Sequence, residues 1–188
     1  MSLKPKIITE KTEIEGVLLV KHRVFEDQRG TFFEAFHSRD FEEAGIHSEF
    51  LQDNQSTSRK GVIRGIHYQI KPHLQAKLVR CSYGKIYDVV VDLREDSKTF
   101  GKWLGVELNG SEGLSIYIPE GIGHGFQVLC EGSVVSYKTS THYAPKFEKG
   151  VHPFDPDLNI EWPMKSNVVL SEKDQSWAPM STQFPGIF

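Results

Sequence analysis

Short strand-like runs, separated by turn residues and with almost no helical periodicity between them, constrain the fold of this chain more than any other feature. Residues 17–25 are apolar and β-branched and end at the turn Glu26-Asp27-Gln28-Arg29-Gly30; residues 31–36 resume an extended run. Residues 76–83 and 85–93 read as two strands around Gly84, and 103–108, 114–118, 125–129 and 133–139 continue the pattern. One helix is predicted over 38–44, with Ser38 as its N-cap and Gly45 ending it in a left-handed conformation. Regularly spaced short strands of this kind predict an all-β, antiparallel sandwich or barrel. The last third differs: Asp155-Pro156-Asp157 and Ile160-Glu161-Trp162-Pro163 read as ordered loop, of the kind that packs over a domain or its mouth and can supply site residues. With no internal repeat, low-complexity tract or linker, residues 1–188 form one domain with a short C-terminal extension.

Composition narrows the function classes. An apolar content of 38% and a charged content of 25% suit a soluble globular protein. A net charge of −3, with basic residues spread along the chain, gives no reason to expect a nucleic acid or membrane partner. An anionic ligand would need a local cationic pocket. The two cysteines, Cys81 and Cys130, read as reduced thiols rather than a disulfide framework. No apolar run approaches the ~18 residues of a membrane span. Met1-Ser2-Leu3-Lys4-Pro5 lacks the apolar core of a signal peptide. The expectation is a cytoplasmic protein.

Two runs carry the chemistry. One is Arg64-Gly65-Ile66-His67-Tyr68-Gln69, followed by Lys77; the other is Pro119-Glu120-Gly121-Ile122-Gly123-His124-Gly125-Phe126. With Gly113 ahead of it, the second run nearly fits the Gly-x5-Pro-x-Gly-x2-His pattern of the cupin barrel. Metal-binding cupins offer His-x-His in the first motif; here the stretch is His67-Tyr68-Gln69, so a ligand is missing and no metal or other cofactor is expected. Proton transfer is the better reading. His67 is a natural base, because an unperturbed imidazole titrates at ~6.5; its bland alternative is a core or surface histidine. Lys77 follows His67 by ten residues across the turn Lys71-Pro72-His73, and strand alternation puts Lys77 and Val79 on one face. The commoner fate of such a lysine is the surface. No Gly-rich phosphate loop is present.

The matching pieces extend further: Phe25-x-Asp27-x-Arg29-Gly30-x-Phe32-x-Glu34, Gln52-x-Asn54-x-Ser56, Arg64-Gly65-x-His67-Tyr68, Gln75-x-Lys77-Leu78-Val79, Asp88-Val89-x-Val91-Asp92-x-Arg94, Gly123-His124-Gly125-Phe126, Tyr143-x-Pro145 and Ser171-x-Lys173-Asp174. From about Phe25 to Asp174 the chain resembles the dTDP-4-dehydrorhamnose 3,5-epimerases of the rhamnose pathway. The resemblance implies a metal-free cupin-type jelly roll, a homodimer, and a dTDP-4-keto-6-deoxyhexose substrate inverted at carbons 3 and 5. Such a reaction needs a base on one face, an acid on the other and a positive group at the ketone oxygen.

By the resemblance His67 is the base and Asp174 its partner; read alone, Asp174 would be a solvated loop charge. Lys77 stabilises the enolate. Tyr137 is the acid, protonated at neutral pH because a phenol titrates at ~10, and a nearby cation would lower that value. Tyr143 is the competing tyrosine, and a half-buried strand tyrosine is the bland reading of Tyr137. Arg29 and Arg64 suit the diphosphate, with Lys173 assisting. Gln52, Asn54, Glu34 and Glu148 suit base or sugar groups, and His124 faces the sugar. Phe32, Phe33, Tyr68 and Phe126 either stack on a base or fill the barrel. Ile66 stands where Leu is usual and Ile122-Gly123 where Phe-Ala is usual, which leaves open the exact sugar and whether one carbon or two are inverted. The rival classes are a metal-dependent cupin and a non-catalytic sugar-nucleotide binding barrel.

Overall fold

The computed structural model describes residues 6–186; Met1–Pro5, read above for a signal peptide, lie outside the described residues. Among the described residues the chain forms β1 (Ile7–Lys11), β2 (Leu18–His22), β3 (Phe25–Asp27), β4 (Gly30–Phe32), α1 (Ser38–Glu43), β5 (Gln52–Ser58), β6 (Ile63–Gln69), β7 (Lys77–Tyr83) and β8 (Lys85–Asp92). It continues with β9 (Trp103–Asn109), β10 (Leu114–Ile118), β11 (Ile122–Val128), β12 (Ser133–Thr139), β13 (Glu148–Gly150), α2 (Glu172–Gln175) and α3 (Met180–Gln183). The strands assemble into a six-stranded sheet, β1-β2-β10-β7-β12-β5, a five-stranded sheet, β13-β6-β11-β8-β9, and a separate β3–β4 hairpin. Every strand pairing is antiparallel. The architecture is the expected all-β, cupin-like jelly roll.

Three apolar layers hold it together. Between the sheets, Val79, Ile116, Ile118 and Val135 pack against Ile86, Val90, Leu108, Ile122, Phe126 and Val128. Outside the smaller sheet, Ile63, Ile66, Val89 and Val91 are covered by Val151, Leu158, Ile160, Trp162 and Met180 of the C-terminal segment. That segment is therefore part of the fold and not an appendage. Outside the larger sheet, Val20 and Leu78 are covered by Phe41 and Ile46 of the α1 region.

Local differences from the sequence reading have physical causes. Ser38 is the first helical residue of α1; the N-cap is His37, with no side-chain cap bond, while Gly45 ends the helix at φ +85° as expected. The extended run expected over 31–36 pairs only through Phe32. β5 was not legible as a strand, because its residues, Gln-Asp-Asn-Gln-Ser-Thr-Ser, are polar throughout. It pairs along its whole length with β12, which supplies the β-branched residues. β11 begins at Ile122, three residues before the strand expected over 125–129; a side chain at Gly123 would press on Ile66 and Leu93.

Candidate active site

Strand alternation alone would put Arg64 and His67, three residues apart, on opposite faces of β6. The structure puts both on the inner face by means of a bulge. His67 pairs with His124 and Arg64 with Phe126, so the β6 stretch carries one residue more than its β11 partner. Glycines make this possible: Gly65 sits at φ +110°, and a Cβ on Gly125 would come within 2.8 Å of the Arg64 carbonyl oxygen and 3.2 Å of the Gly65 Cα. The inner face opens into a cleft of about 750 Å³ that Arg64 and His67 line together with Gln52, Asn54, Lys77, His124, Tyr137, Glu148, Lys173 and Asp174.

His67 hydrogen-bonds through Nε2 to the Asp174 carboxylate. The short helix α2 brings Asp174 there: its N-cap Ser171 accepts from the Asp174 amide at 3.0 Å, and the carboxylate is buried. Burial pushes the Asp174 carboxyl up, but the His67 and Ser171 hydrogen bonds outweigh it and leave it below the usual range. A carboxylate accepting from Nε2–H leaves the lone pair of the neutral ring on Nδ1.

Lys77 begins β7 with 7% of its surface exposed, and its Nζ donates to the His67 carbonyl at 3.2 Å. Burial lowers its pKa from 10.5 to about 8, with the Asp88 and Glu148 carboxylates pulling the other way. Tyr137 lies mid-strand on β12, paired with Val79 on one side and Asn54 on the other. Its phenol is pushed up by burial; the Arg64 and Lys173 cations work against this without reversing it. The expected lowering by a cation is thus present but outweighed. Tyr143 is half exposed and its hydroxyl donates to Glu148 at 2.5 Å.

His124 is buried and donates from Nε2 to Asp88 at 2.8 Å. Burial lowers its pKa, and the neighbouring Lys77 and His67 add to that against the pull of Asp88. Glu148 receives Lys173 Nζ at 2.7 Å as well as Tyr143; burial raises its pKa but these partners bring it below the usual value. Gln52 donates to Asn54 at 2.8 Å and accepts from the Tyr143 amide at 3.0 Å. Arg64 Nε donates to Ser58 at 3.1 Å.

Two predicted residues are not in this cleft. Arg29, with its side chain 91% exposed, pairs with Asp27 of its own hairpin, and Glu34 pairs with Lys6 at 2.8 Å. Sequence reasoning missed Gln75 as a lining residue and Asp88 as the partner of His124, although both stood in quoted motifs. Gln69, where a metal cupin has its second histidine, ties loops together: it accepts from the Ala144 amide at 2.7 Å and donates to the His73 carbonyl at 2.9 Å. Among the described residues, no three His, Cys, Asp or Glu side chains are grouped to hold a metal ion.

Comparison with known proteins adds a family to this geometry. The family model described as dTDP-4-dehydrorhamnose 3,5-epimerase matches residues 11–182. The dTDP-4-dehydrorhamnose 3,5-epimerase of Shigella flexneri is 50% identical over 87% of this chain and 91% of its own. The crystal structure of the enzyme of that name from Elizabethkingia anophelis NUHP1 superposes with a TM-score of 0.89 at 43% identity, covering 95% of this chain and 98% of that one. The dTDP-6-deoxy-D-glucose-3,5-epimerase of Legionella pneumophila Philadelphia 1, solved in complex with dTDP-4-keto-L-rhamnose, gives 0.86 at 41% identity and covers 89% of each chain.

Proposed function

The chain belongs to the dTDP-4-dehydrorhamnose 3,5-epimerase family, and we propose that it inverts carbons 3 and 5 of dTDP-4-keto-6-deoxy-D-glucose, giving dTDP-4-keto-L-rhamnose for dTDP-rhamnose synthesis. The observation that carries this reading is the convergence of a carboxylate-backed imidazole, a buried ammonium and a phenol on one cleft.

His67 Nδ1 takes the proton from the carbon next to the ketone, and Asp174 stabilises the imidazolium that forms. The electron pair moves onto the ketone oxygen as an enolate, which the Lys77 ammonium is placed to stabilise. Tyr137 returns a proton to the opposite face of the carbon. The His67 imidazolium then releases its proton to solvent and Tyr137 takes one up from it, so atoms and charge balance and both groups are reset with no redox partner. Arg64 and Lys173 supply cationic charge for the diphosphate, and Gln52, Asn54 and Glu148 supply polar contacts to sugar or base.

The working unit is a homodimer in this reading. Arg29 and Glu34 lie outside their own chain's cleft, so they serve the nucleotide from the second copy. The hairpin that carries Arg29 also exposes Phe32 at 66%, a surface that suits burial against a partner. The reaction's place is the cytoplasm. No helix among the described residues is long and apolar enough to cross a membrane.

The test is incubation with dTDP-4-keto-6-deoxyglucose in heavy water, followed by NMR and mass spectrometry. Deuterium at carbons 3 and 5 with inverted configuration is expected. Deuterium at one carbon would make the protein a mono-epimerase, and none would refute this substrate.

A further inference from the structure

His67 is an inner strand residue of the five-stranded sheet, with one cross-strand neighbour on each side. On β11 that neighbour is His124. On β13, the sheet edge, it is Gly150, which has no side chain to offer. Directly paired residues of antiparallel strands project to the same face, so the glycine leaves a gap beside the imidazole. The gap is filled from elsewhere in the chain. A Cβ on Gly150 would overlap the indole of Trp177, so the ring lies flat on the glycine. The same indole meets the His67 ring in an edge-on arrangement, with centroids 6.3 Å apart.

Trp177 follows directly on α2, the helix that carries Asp174. One residue is therefore tied to both members of the His67–Asp174 pair: its ring packs beside the imidazole, and its backbone lies three residues from the carboxylate, just past the helix that delivers it. Lys173 Nζ stands 6.0 Å over the indole, and Gln183 holds the glycine beneath it, donating to the Gly150 carbonyl at 2.9 Å. The indole Nε1 is buried with no hydrogen-bond partner, so the ring serves here through its shape and not through its N–H.

We propose that Trp177 is a positioning residue, which, seated on the side-chain-free Gly150, takes the place of the missing cross-strand neighbour and holds imidazole and carboxylate in register. The inference rests on the reading of His67 as the base. It assigns no contact between Trp177 and the substrate. Aromatic cover of an edge-strand glycine is a known device for fixing strand register; here it fixes an acid–base pair.

The experiment compares wild type with Trp177→Phe, Trp177→Ala and Gly150→Ala, each alone and combined with Asp174→Asn. Readouts are kcat, KM and solvent-deuterium uptake with dTDP-4-keto-6-deoxyglucose. Trp177→Ala should lower kcat roughly tenfold or more, as a misaligned reacting group does, with KM within about twofold. Trp177→Phe keeps a flat ring and should recover most of the rate. Gly150→Ala displaces the indole and should reproduce the loss. With Asp174→Asn already present, removing the indole should cost less than about twofold more, because the pair it aligns is gone. An unchanged kcat in Trp177→Ala, a loss confined to KM, or an undiminished loss in the Asp174→Asn background would each overturn the proposal. Should Trp177→Ala not fold, Gly150→Ala and Trp177→Phe decide it: full activity in the first, or equal loss in both, refutes it. A wild-type protein that takes up no deuterium would instead refute the proposed substrate, the reading on which this inference rests, which separates the two failures.

Discussion

Lys77 shows how a single side chain ties function to stability. Its pKa of about 8 in the folded protein, against 10.5 when exposed, means that folding disfavours its charged form. Below pH 8 the lysine is charged in both states and the folded protein bears the whole cost. Between pH 8 and 10.5 the unfolded chain binds the proton and the folded one does not, so the cost fades as pH rises. Lys77→Met should therefore raise stability at pH 7, by up to about 3 kcal/mol, in urea titrations, while turnover collapses. The same value sets an alkaline limb: kcat/KM should fall as pH rises through about 8, when the cation that meets the enolate is lost. His67→Ala should abolish turnover and leave nucleotide affinity nearly intact, as calorimetry would show. Tyr137→Phe should still exchange deuterium into the substrate while inverting it slowly, which mass spectrometry separates from loss of both. His67 and Lys77 were legible from motif and spacing; Arg64 came from the resemblance, and spacing alone would have turned it away from His67. The role of Asp174 rested on resemblance alone, because a carboxylate in Ser-Glu-Lys-Asp carries no local sign of burial. Asp88 escaped notice because a buried aspartate in an apolar strand is visible only once His124 faces it.

At the level of elements, the bulge in β6 decides which side chains share the cleft. It could not be read from the sequence: a glycine inside an apolar run signals an irregularity but not the face to which its neighbours turn. Gly125→Val should force β6 and β11 apart, cost roughly 1–3 kcal/mol in thermal or urea melts, and remove activity by turning Arg64 or His67 away. The loop after β8 depends on one carboxylate in a similar way. Burial works to raise the Asp92 carboxyl, but hydrogen bonds from Arg94, Ser97 and Thr99 hold it at about 2, below its ordinary 3.8. This stability is complete above pH 3.8 and is lost as pH falls through about 2. Asp92→Asn should remove about 2 kcal/mol at neutral pH and flatten the acid end of the stability curve, as melts between pH 2 and 7 would show. Strands with β-branched residues were legible; β5 was not, because a polar edge strand is made by its partner and not by its own composition.

For the whole molecule, the sequence pointed to one β domain with a C-terminal extension, and the extension proved to be the cover of an entire sheet face. Its apolar residues, Leu158, Ile160 and Trp162, alternate with polar ones as a strand would, yet they lie in no strand, so only the complementary sheet face explains their burial. The unit that works is larger than one chain in the proposed reading. Light scattering should give a dimer mass, and Arg29→Ala should weaken nucleotide binding about tenfold without changing deuterium exchange at saturating substrate. A monomer that turns over at full rate would refute that arrangement. The separation of Asp174 from the strands has a temporal consequence. The sheets are complete at Gly150, yet the proton-transfer pair is completed only by residue 174. As the chain leaves the ribosome, the strands of both sheets can pair before the residue that arms the base has been synthesised. Turnover is thus the last property a newborn chain acquires, and its appearance marks a polypeptide whose tail has docked.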